Sequence, residues 1–112
     1  MCLYEIGKRK KAEKDIVCYK LLRNNDAPYN SCYTYQRGQI NTSHLRKNKN
    51  YDNLSIGLHS FVRKKDAEKE CHAWNGKSYH VVKMYIPKGA HYYEGFYSTF
   101  KAYASNKLLW KN

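Results

Sequence analysis

Apolar residues in this chain occur in short blocks separated by polar and basic stretches. Each block has the length and the β-branched or aromatic content that is typical of a buried strand. In the third block Val82, Met84 and Ile86 alternate with the residues between them, so that they share one face of an extended chain. A further strand is expected around Tyr33 and Tyr35. The blocks are residues 15–22, 54–62, 79–86 and 107–111.

One segment has the spacing of a helix instead. It predicts a single clear helix at about residues 66–75, with Asp66 as the N-cap and Gly76 just past the end. Its apolar residues recur at helical intervals, which places them on one side of the helix. We interpret Trp74 as a core anchor rather than as a platform on which a base stacks. The apolar side of the predicted helix consists of Ala67, Cys71 and Trp74.

The chain has 112 residues, of which 42% are hydrophobic, and this is enough for one compact domain. We therefore expect a single domain over residues 1–112, with a basic N-terminal segment, 1–14, that is partly flexible. Residues 41–53 are polar and rich in Asn, which predicts a long loop, and residues 90–100 hold a cluster of aromatic side chains. Together these features predict an α+β fold: a small, mostly antiparallel sheet, one clear α-helix, and long polar or aromatic loops.

Hydropathy and cysteine spacing indicate a compartment. The chain contains no run of 18 apolar residues and no apolar leader near its N-terminus, so we expect a cytoplasmic protein with no membrane partner. The cysteines lack the close spacing of a zinc site, and the cytosol disfavours disulfides. We therefore expect free thiols and no metal. The cysteines are Cys2, Cys18, Cys32 and Cys71.

Charge is the feature that points most directly to a partner. Lys and Arg number 21 against 9 Asp and Glu, a net charge of +12, and the two halves of the chain share it equally. Such a charge attracts polyanions, and the 12 Tyr residues supply rings that stack on bases. A basic surface kept for solubility is the alternative. The candidate nucleic-acid-binding or anion-binding residues form three clusters: Lys8, Arg9, Lys10 and Lys11; then Arg46, Lys47 and Lys49; then Arg63, Lys64 and Lys65.

No catalytic or cofactor motif accompanies this charge. The six glycines are too widely spaced for a phosphate-binding loop, and no nucleophile lies beside an oriented base. We therefore expect a non-enzymatic protein without a cofactor. The catalytic alternative is a small transferase or nuclease that uses His59 and Glu94.

Several short motifs follow one another in a fixed order over residues 15–111. They are Tyr33-x-Tyr35-x-x-Gly38, Gly57-Leu-His-Ser-Phe61, Ile86-Pro-Lys-Gly89, Tyr92-Tyr93-x-Gly95 and Tyr103-Ala-Ser105. In these the chain resembles a group of small uncharacterised proteins from phages and their bacterial hosts, including a domain found beside pentapeptide repeats. The resemblance implies a phage or mobile-element origin and action in the host cytosol. We therefore expect an anti-CRISPR-like inhibitor that docks on a host nucleoprotein, such as an RNA-guided defence nuclease, or on its RNA, with DNA as the alternative polymer.

A weaker resemblance is to ADP-ribosyltransferase folds. It would use His59 and Glu94 with Tyr79 as an aromatic partner, but Tyr19-Lys20 stand where those folds carry an early His or Arg. A sponge for a small anionic signalling nucleotide is a third alternative, since it would need the same basic surface.

Overall fold

The computed structural model describes residues 3–23, 26–27, 30–48, 52–73 and 79–112. Within these ranges the chain forms one helix and many short strands, which confirms a small α+β fold dominated by its sheet. The elements are β1 (Leu3–Tyr4), β2 (Lys10–Lys11), β3 (Ile16–Arg23), β4 (Asp26–Ala27), β5 (Asn30–Thr34), β6 (Gln39–Thr42), β7 (Asn53–Leu54), β8 (Leu58–Phe61), α1 (Lys64–Ala73), β9 (Tyr79–Ile86), β10 (His91–Tyr97), β11 (Phe100–Ser105) and β12 (Lys107–Trp110).

All strand pairs in the described ranges are antiparallel, and the main path runs β6-β12-β9-β3-β8-β11-β10-β1-β7. The central pair is β3 with β9, in register from Ile16 opposite Ile86 to Arg23 opposite Tyr79. Only Asn106 separates β11 from β12, although β8, β3 and β9 lie between them in the sheet. The sheet must therefore curl back on itself, and it encloses one of its faces.

The enclosed inner face holds the largest core. It is built from alternate residues of β3 and β9, because successive side chains of a strand point to opposite faces. Asn106 fixes the corner of the curl: its amide donates to the carbonyl of His91 (3.1 Å), and its side-chain oxygen accepts from the amide of His91 (2.9 Å). The buried members of this core are Ala12, Cys18, Leu22, Tyr35, Leu58, Met84, Ile86, Ala90, Leu108 and Trp110.

Two smaller cores lie on the outer face. In the first, α1 covers Leu21 and Phe61, and its Ala67 is fully buried. In the second, Leu3, Ile6 and Leu54 pack against Ala102 and Ala104 of β11. β8 lies between these cores and the inner one, so all four of its residues are buried.

The predicted helix exists, but it begins two residues before residue 66. It runs from Lys64 to Ala73, so Asp66 is its third residue rather than its N-cap, and the side chain of Asp66 is buried. Ala67 and Cys71 lie on the side that faces the core, as the spacing predicts. Trp74 and Gly76 fall outside the described residues.

Two segments expected as a flexible start or as an aromatic loop, residues 3–14 and 90–100, supply strands, whereas residues 41–53 are strand only at their two ends. Residues 3–14 carry β1 and β2, which both pair with β10, and they bury Leu3, Ile6 and Ala12. The stretch 41–53 begins in β6 and ends in β7, with an isolated bridge between Arg46 and Ile56 close by. The aromatic stretch 90–100 contains β10, which pairs with β11 over most of its length.

Candidate nucleic-acid interface

The first predicted basic cluster lies on the edge of the sheet. Lys10 and Lys11 form β2, opposite Tyr92 and His91 of β10, and Lys8 to Lys11 are all exposed. The guanidinium of Arg9 donates to the carbonyl of Leu45 (3.3 Å), which draws this cluster toward the second one.

The second cluster contributes less free charge. The amide of Arg46 donates to the carbonyl of Ile56 (3.0 Å), which anchors the backbone while the side chain stays exposed. Lys47 forms an ion pair with Asp52 (3.5 Å). Lys49 lies outside the described residues, so the structure places only Arg46 and Lys47 of this cluster.

The third cluster opens onto a cavity. Arg63 precedes α1, and Lys64 and Lys65 begin it; Lys64 and Lys65 are exposed and Arg63 lies at the surface. Arg63 and Lys65 line a cavity of about 450 Å³ between α1 and the tip of the β10–β11 hairpin. Lys64 does not line it. The other lining residues are Asp66, Lys69, Phe96, Thr99, Phe100 and Lys101.

This cavity continues into three others through shared residues. Phe96 and Lys101 also line a cavity of about 200 Å³ that contains Lys10. Lys10 and Lys11 line the next cavity, of about 540 Å³, together with Tyr92. Lys11 lines the last, of about 640 Å³. We call this continuous surface the basic track; its cations are Arg63, Lys65, Lys69, Lys101, Lys10, Lys11, Lys14 and Lys88.

The track keeps a positive balance. Its eight cations face four carboxylates, and one of these, Asp66, is buried. The other carboxylates are Glu5, Glu13 and Glu94. The track therefore joins Lys10 and Lys11 of the first predicted cluster with Arg63 and Lys65 of the third, in one surface that can hold several phosphates. The remaining members of these two clusters line none of its cavities: Lys8, Arg9 and Lys64.

Phe96 gives the track an apolar wall. The residue is only half-buried, lines two adjoining cavities, and belongs to none of the three cores formed by the described residues. An aromatic ring without a core role, beside cations, is the arrangement on which a base stacks. Lys101 lies opposite it in the strand register.

The sequence did not indicate Phe96, Lys101, Lys69, Lys14 or Lys88 as site residues. Lys69 follows Lys65 by four positions, so helical spacing alone places both on one side of α1. Lys101 and Lys88 stand as single cations among apolar or turn residues. Strand pairing places Lys101 opposite Phe96, and backbone hydrogen bonds of Ala12 with Gly89 and Ala90 bring the turn of Lys88 near the first cluster.

The structure does not bring together the residues of the catalytic alternative. Register places His59 opposite Ala104 and Glu94 opposite Tyr103, so the two side chains project from opposite faces of the sheet. Tyr79 packs in the core beneath α1. His59 and Glu94 therefore cannot act on one substrate atom, and we do not propose an enzyme that uses them.

His59 is also a poor general base. Its Nδ1 and Nε2 lie 3.1 Å and 3.3 Å from the carbonyl oxygens of Gly57 and Leu54. The neutral ring carries one N–H, so it donates a hydrogen bond to only one of these two carbonyls. Burial, reinforced by the nearby Lys20 charge, lowers the pKa of His59 to about 3. The imidazole is thus a neutral structural group at physiological pH.

A second lysine environment exists inside the sheet. Lys20 is 7% exposed, its ammonium donates to the carbonyl of His59 (2.6 Å), and it lies 5.3 Å from the centroid of the Tyr35 ring. Burial lowers the pKa of Lys20 to about 8 and raises the pKa of the neighbouring Cys18 thiol to about 12. None of the cavities of the track is lined by Lys20 or Cys18, so both are internal groups.

Comparisons with other proteins leave the identity open: no family model, curated protein or solved structure matches this chain. The resemblance to small phage and bacterial proteins therefore stays a prediction. In the described part of the chain no helix is long and apolar enough to cross a membrane. Over the same ranges, no group of three or more His, Cys, Asp or Glu side chains could hold a metal ion, and Cys18 and Cys71 carry free thiols.

Proposed function

We propose that the protein is a non-enzymatic nucleic-acid-binding protein and that the basic track is its binding surface. The observation that carries this proposal is the continuity of the track: four adjoining cavities, with eight cations, run past a half-buried Phe96 that serves no core of the described residues. Phosphates bound by these cations would release condensed counterions, which is the main source of affinity in such complexes.

Single-stranded RNA is the polymer we propose. In a single strand the bases are free to stack on Phe96 while phosphates lie against Lys101, Lys65 and Arg63. A duplex keeps its bases stacked on one another and would use the charge but not the ring. DNA is the alternative polymer, and direct competition between the two polymers separates them.

The biological role we propose follows the predicted phage origin. The protein would dock on a host nucleoprotein, such as an RNA-guided defence nuclease, and inhibit it by occupying its guide or target RNA. The even distribution of charge over the chain, rather than on one tail, supports a folded body as the binding unit.

The test measures fluorescence anisotropy of a short labelled RNA single strand at low salt. The double variant Lys65→Glu/Lys101→Glu should weaken binding by about 100-fold, because two attractions to phosphate become repulsions. It should also make the dependence of affinity on salt less steep, by about 0.7 in logarithmic slope for each phosphate that the protein no longer neutralises. Glutamate in the first turn of α1 suits the helix dipole, so Lys65→Glu should not disturb the fold.

Lys107→Glu is the matched control. Lys107 is exposed on β12 and lines none of the cavities of the track, so the same change of charge should weaken binding far less. Wild-type protein without affinity for RNA at low salt would overturn the proposed function. Equal reductions of affinity in the control and in the double variant would reject the track as the site.

A competition series tests which polymer the protein prefers and whether the ring of Phe96 contributes to that preference. Unlabelled RNA single strand should displace the probe better than DNA single strand or duplex, and Phe96→Leu should reduce the preference for single strands over duplex. Recovery of a host nucleoprotein from lysate that depends on the track and is lost after ribonuclease treatment would support docking through RNA. Recovery that resists ribonuclease would show docking through protein instead.

A further inference from the structure

A second surface lies on the outer face of the sheet and shares no residue with the track. Four side chains form a line across neighbouring strands: Ile40 pairs with Leu109, Leu109 with Tyr85, and Tyr85 with Val17. Residues that pair across antiparallel strands share a face, so these four project together. We call them the apolar row. It spans about 14 Å, since neighbouring strands lie about 4.8 Å apart.

The row is open to solvent. Ile40 is 48% exposed and Val17 is 39% exposed, and they are two of the three large hydrophobic residues exposed in the described part of the chain. None of the four belongs to a core of the described residues, and α1 covers a different part of this face, around Leu21 and Phe61. Contiguous exposed apolar side chains rimmed by polar residues are a feature of interaction sites.

Two lysines border the row. The ammonium of Lys111 lies 4.3 Å from the centroid of the Tyr85 ring, and that of Lys83 lies 5.6 Å from it. Both side chains are exposed. The row therefore has an apolar centre and a positive rim, which complements a surface with apolar side chains and surrounding carboxylates.

We propose that the apolar row docks an acidic protein segment, in which apolar side chains contact Ile40, Leu109 and Val17 while carboxylates contact Lys83 and Lys111. The row shares no residue with the basic track, so this proposal does not depend on the proposed function.

The alternatives fit less well. In a symmetric pair of copies, each Lys83 and Lys111 would approach the lysines of the other copy, and two bodies of net charge +12 would repel each other. A nucleic-acid base would have to stack on Tyr85, where Lys111 already lies over the ring. None of the cavities of the track reaches the row, so no groove continues from it for a strand to follow.

The test selects binders from a yeast-displayed library of random peptides on immobilised wild-type protein. Enriched peptides should combine Asp or Glu with Leu, Ile, Phe or Trp. Synthetic copies should bind Val17→Thr/Ile40→Thr and, separately, Lys111→Glu at least about tenfold more weakly than wild type. Threonine keeps the β-branched shape, so the double variant should retain the fold.

Two controls match these variants. Tyr4→Thr removes the exposed apolar side chain that lies outside the row, and Lys8→Glu reverses an exposed charge between β1 and β2; both should bind the selected peptides as wild type does. Absence of such peptides, or peptides insensitive to the row variants, would overturn the proposal. The proposal would also be overturned by a dimer, measured by sedimentation, that Val17→Thr/Ile40→Thr abolishes, or by a lower affinity for RNA in that variant.

Discussion

The basic track and the apolar row are made from the same kinds of residue, lysines beside aromatic rings, yet the ammonium groups of these lysines face different surroundings. In the track the lysines line open cavities beside Phe96. In the row Lys111 and Lys83 lie near the ring of Tyr85. A lysine that lines a cavity can bind a phosphate, whereas a lysine that covers a ring removes that ring as a stacking platform.

Composition alone cannot distinguish the two surfaces. A net charge of +12 and 12 Tyr residues suit both a nucleic-acid partner and an acidic protein partner. The pairing of strands decides which lysine meets which ring, and it produces one surface of each type.

Lys20 is a third case, in which the same pairing of lysine and ring is buried. It lies over Tyr35 as Lys111 lies over Tyr85, but it is 7% exposed. Burial lowers its pKa from 10.5 to about 8. The interaction with the ring and the hydrogen bond to the carbonyl of His59 therefore do not compensate for the removal of water from around the charge.

Replacing this lysine should have the largest effect on stability. Below pH 8, Lys20 is charged in both states, and the shift of its pKa corresponds to a penalty of about 3 kcal/mol in the folded protein. Lys20→Met removes the charge and keeps an unbranched chain, so we expect the free energy of unfolding to rise by about 2 kcal/mol at pH 7, since the variant also forgoes the hydrogen bond.

The pH dependence identifies the cause. Between pH 8 and pH 10.5 the folded protein binds fewer protons at Lys20 than the unfolded chain does, so the wild type gains stability relative to Lys20→Met as the pH rises. The advantage of the variant should therefore fall through this window, vanish at about pH 9.5 and reverse toward the upper end of the window. Urea unfolding at a series of pH values measures this, and an advantage that is constant with pH would contradict it.

Gly95 should show the next largest effect, and it acts on the track alone. A Cβ at Gly95 would lie 2.7 Å from Cγ2 of Ile6 and 2.8 Å from the carbonyl oxygen of Tyr4. Gly95→Ala should therefore displace β1 from β10 and lower the free energy of unfolding by about 2 kcal/mol. The melting temperature should fall by roughly 8 °C.

Gly7→Ala is the control for this prediction. Its new Cβ would have one neighbour, the carbonyl oxygen of Glu94 at 3.9 Å, so we expect little change. Affinity for RNA should fall in Gly95→Ala while affinity for the peptides selected on the row stays constant, because Gly95 lines the track. A decrease in both affinities would show that the two surfaces are not independent.

Much of the fold could be predicted from local patterns. The strand at residues 79–86 and the inward face of Val82, Met84 and Ile86 are confirmed, because alternation along one strand is a local property. β10 is not predicted from the sequence, and the reason is also local. Tyr92 and Tyr93 are both aromatic, so no alternation is visible, and Gly95 suggests a break. The absence of a side chain at Gly95 instead allows β1 to lie close to β10.

The candidate site could be predicted only in part. Lys10 and Arg63 are far apart in the sequence, and they belong to one surface because β2 and β11 both pair with β10. That pairing of strands cannot be predicted from any local pattern in the sequence. The curl of the sheet depends on the hydrogen bonds of Asn106, which the sequence shows only as one polar residue before an apolar block.

The tip of the β10–β11 hairpin, at the end of the track, should show a smaller effect. Ser98 has φ 55°, a left-handed conformation that costs a residue with a Cβ about 1 kcal/mol. Ser98→Gly should therefore raise the free energy of unfolding by up to about 1 kcal/mol, as measured by urea unfolding. Ser98→Ala keeps the Cβ and should give no gain; equal gains in both variants would contradict backbone strain as the cause.

The smallest effect is expected at the row, where the interaction between Lys111 and Tyr85 lies at the surface. A cation over a ring in such a position contributes about 0.5 kcal/mol. A double-mutant cycle with Lys111→Gln and Tyr85→Leu should return a coupling of that size, whereas Lys107→Gln and Tyr85→Leu should return none. The coupling should persist in high salt better than the RNA affinity of the track, because the ring carries no net charge for salt to screen. A coupling of zero would mean that Lys111 does not cover the ring, and Tyr85 would then be free to stack on a base, as we propose for Phe96.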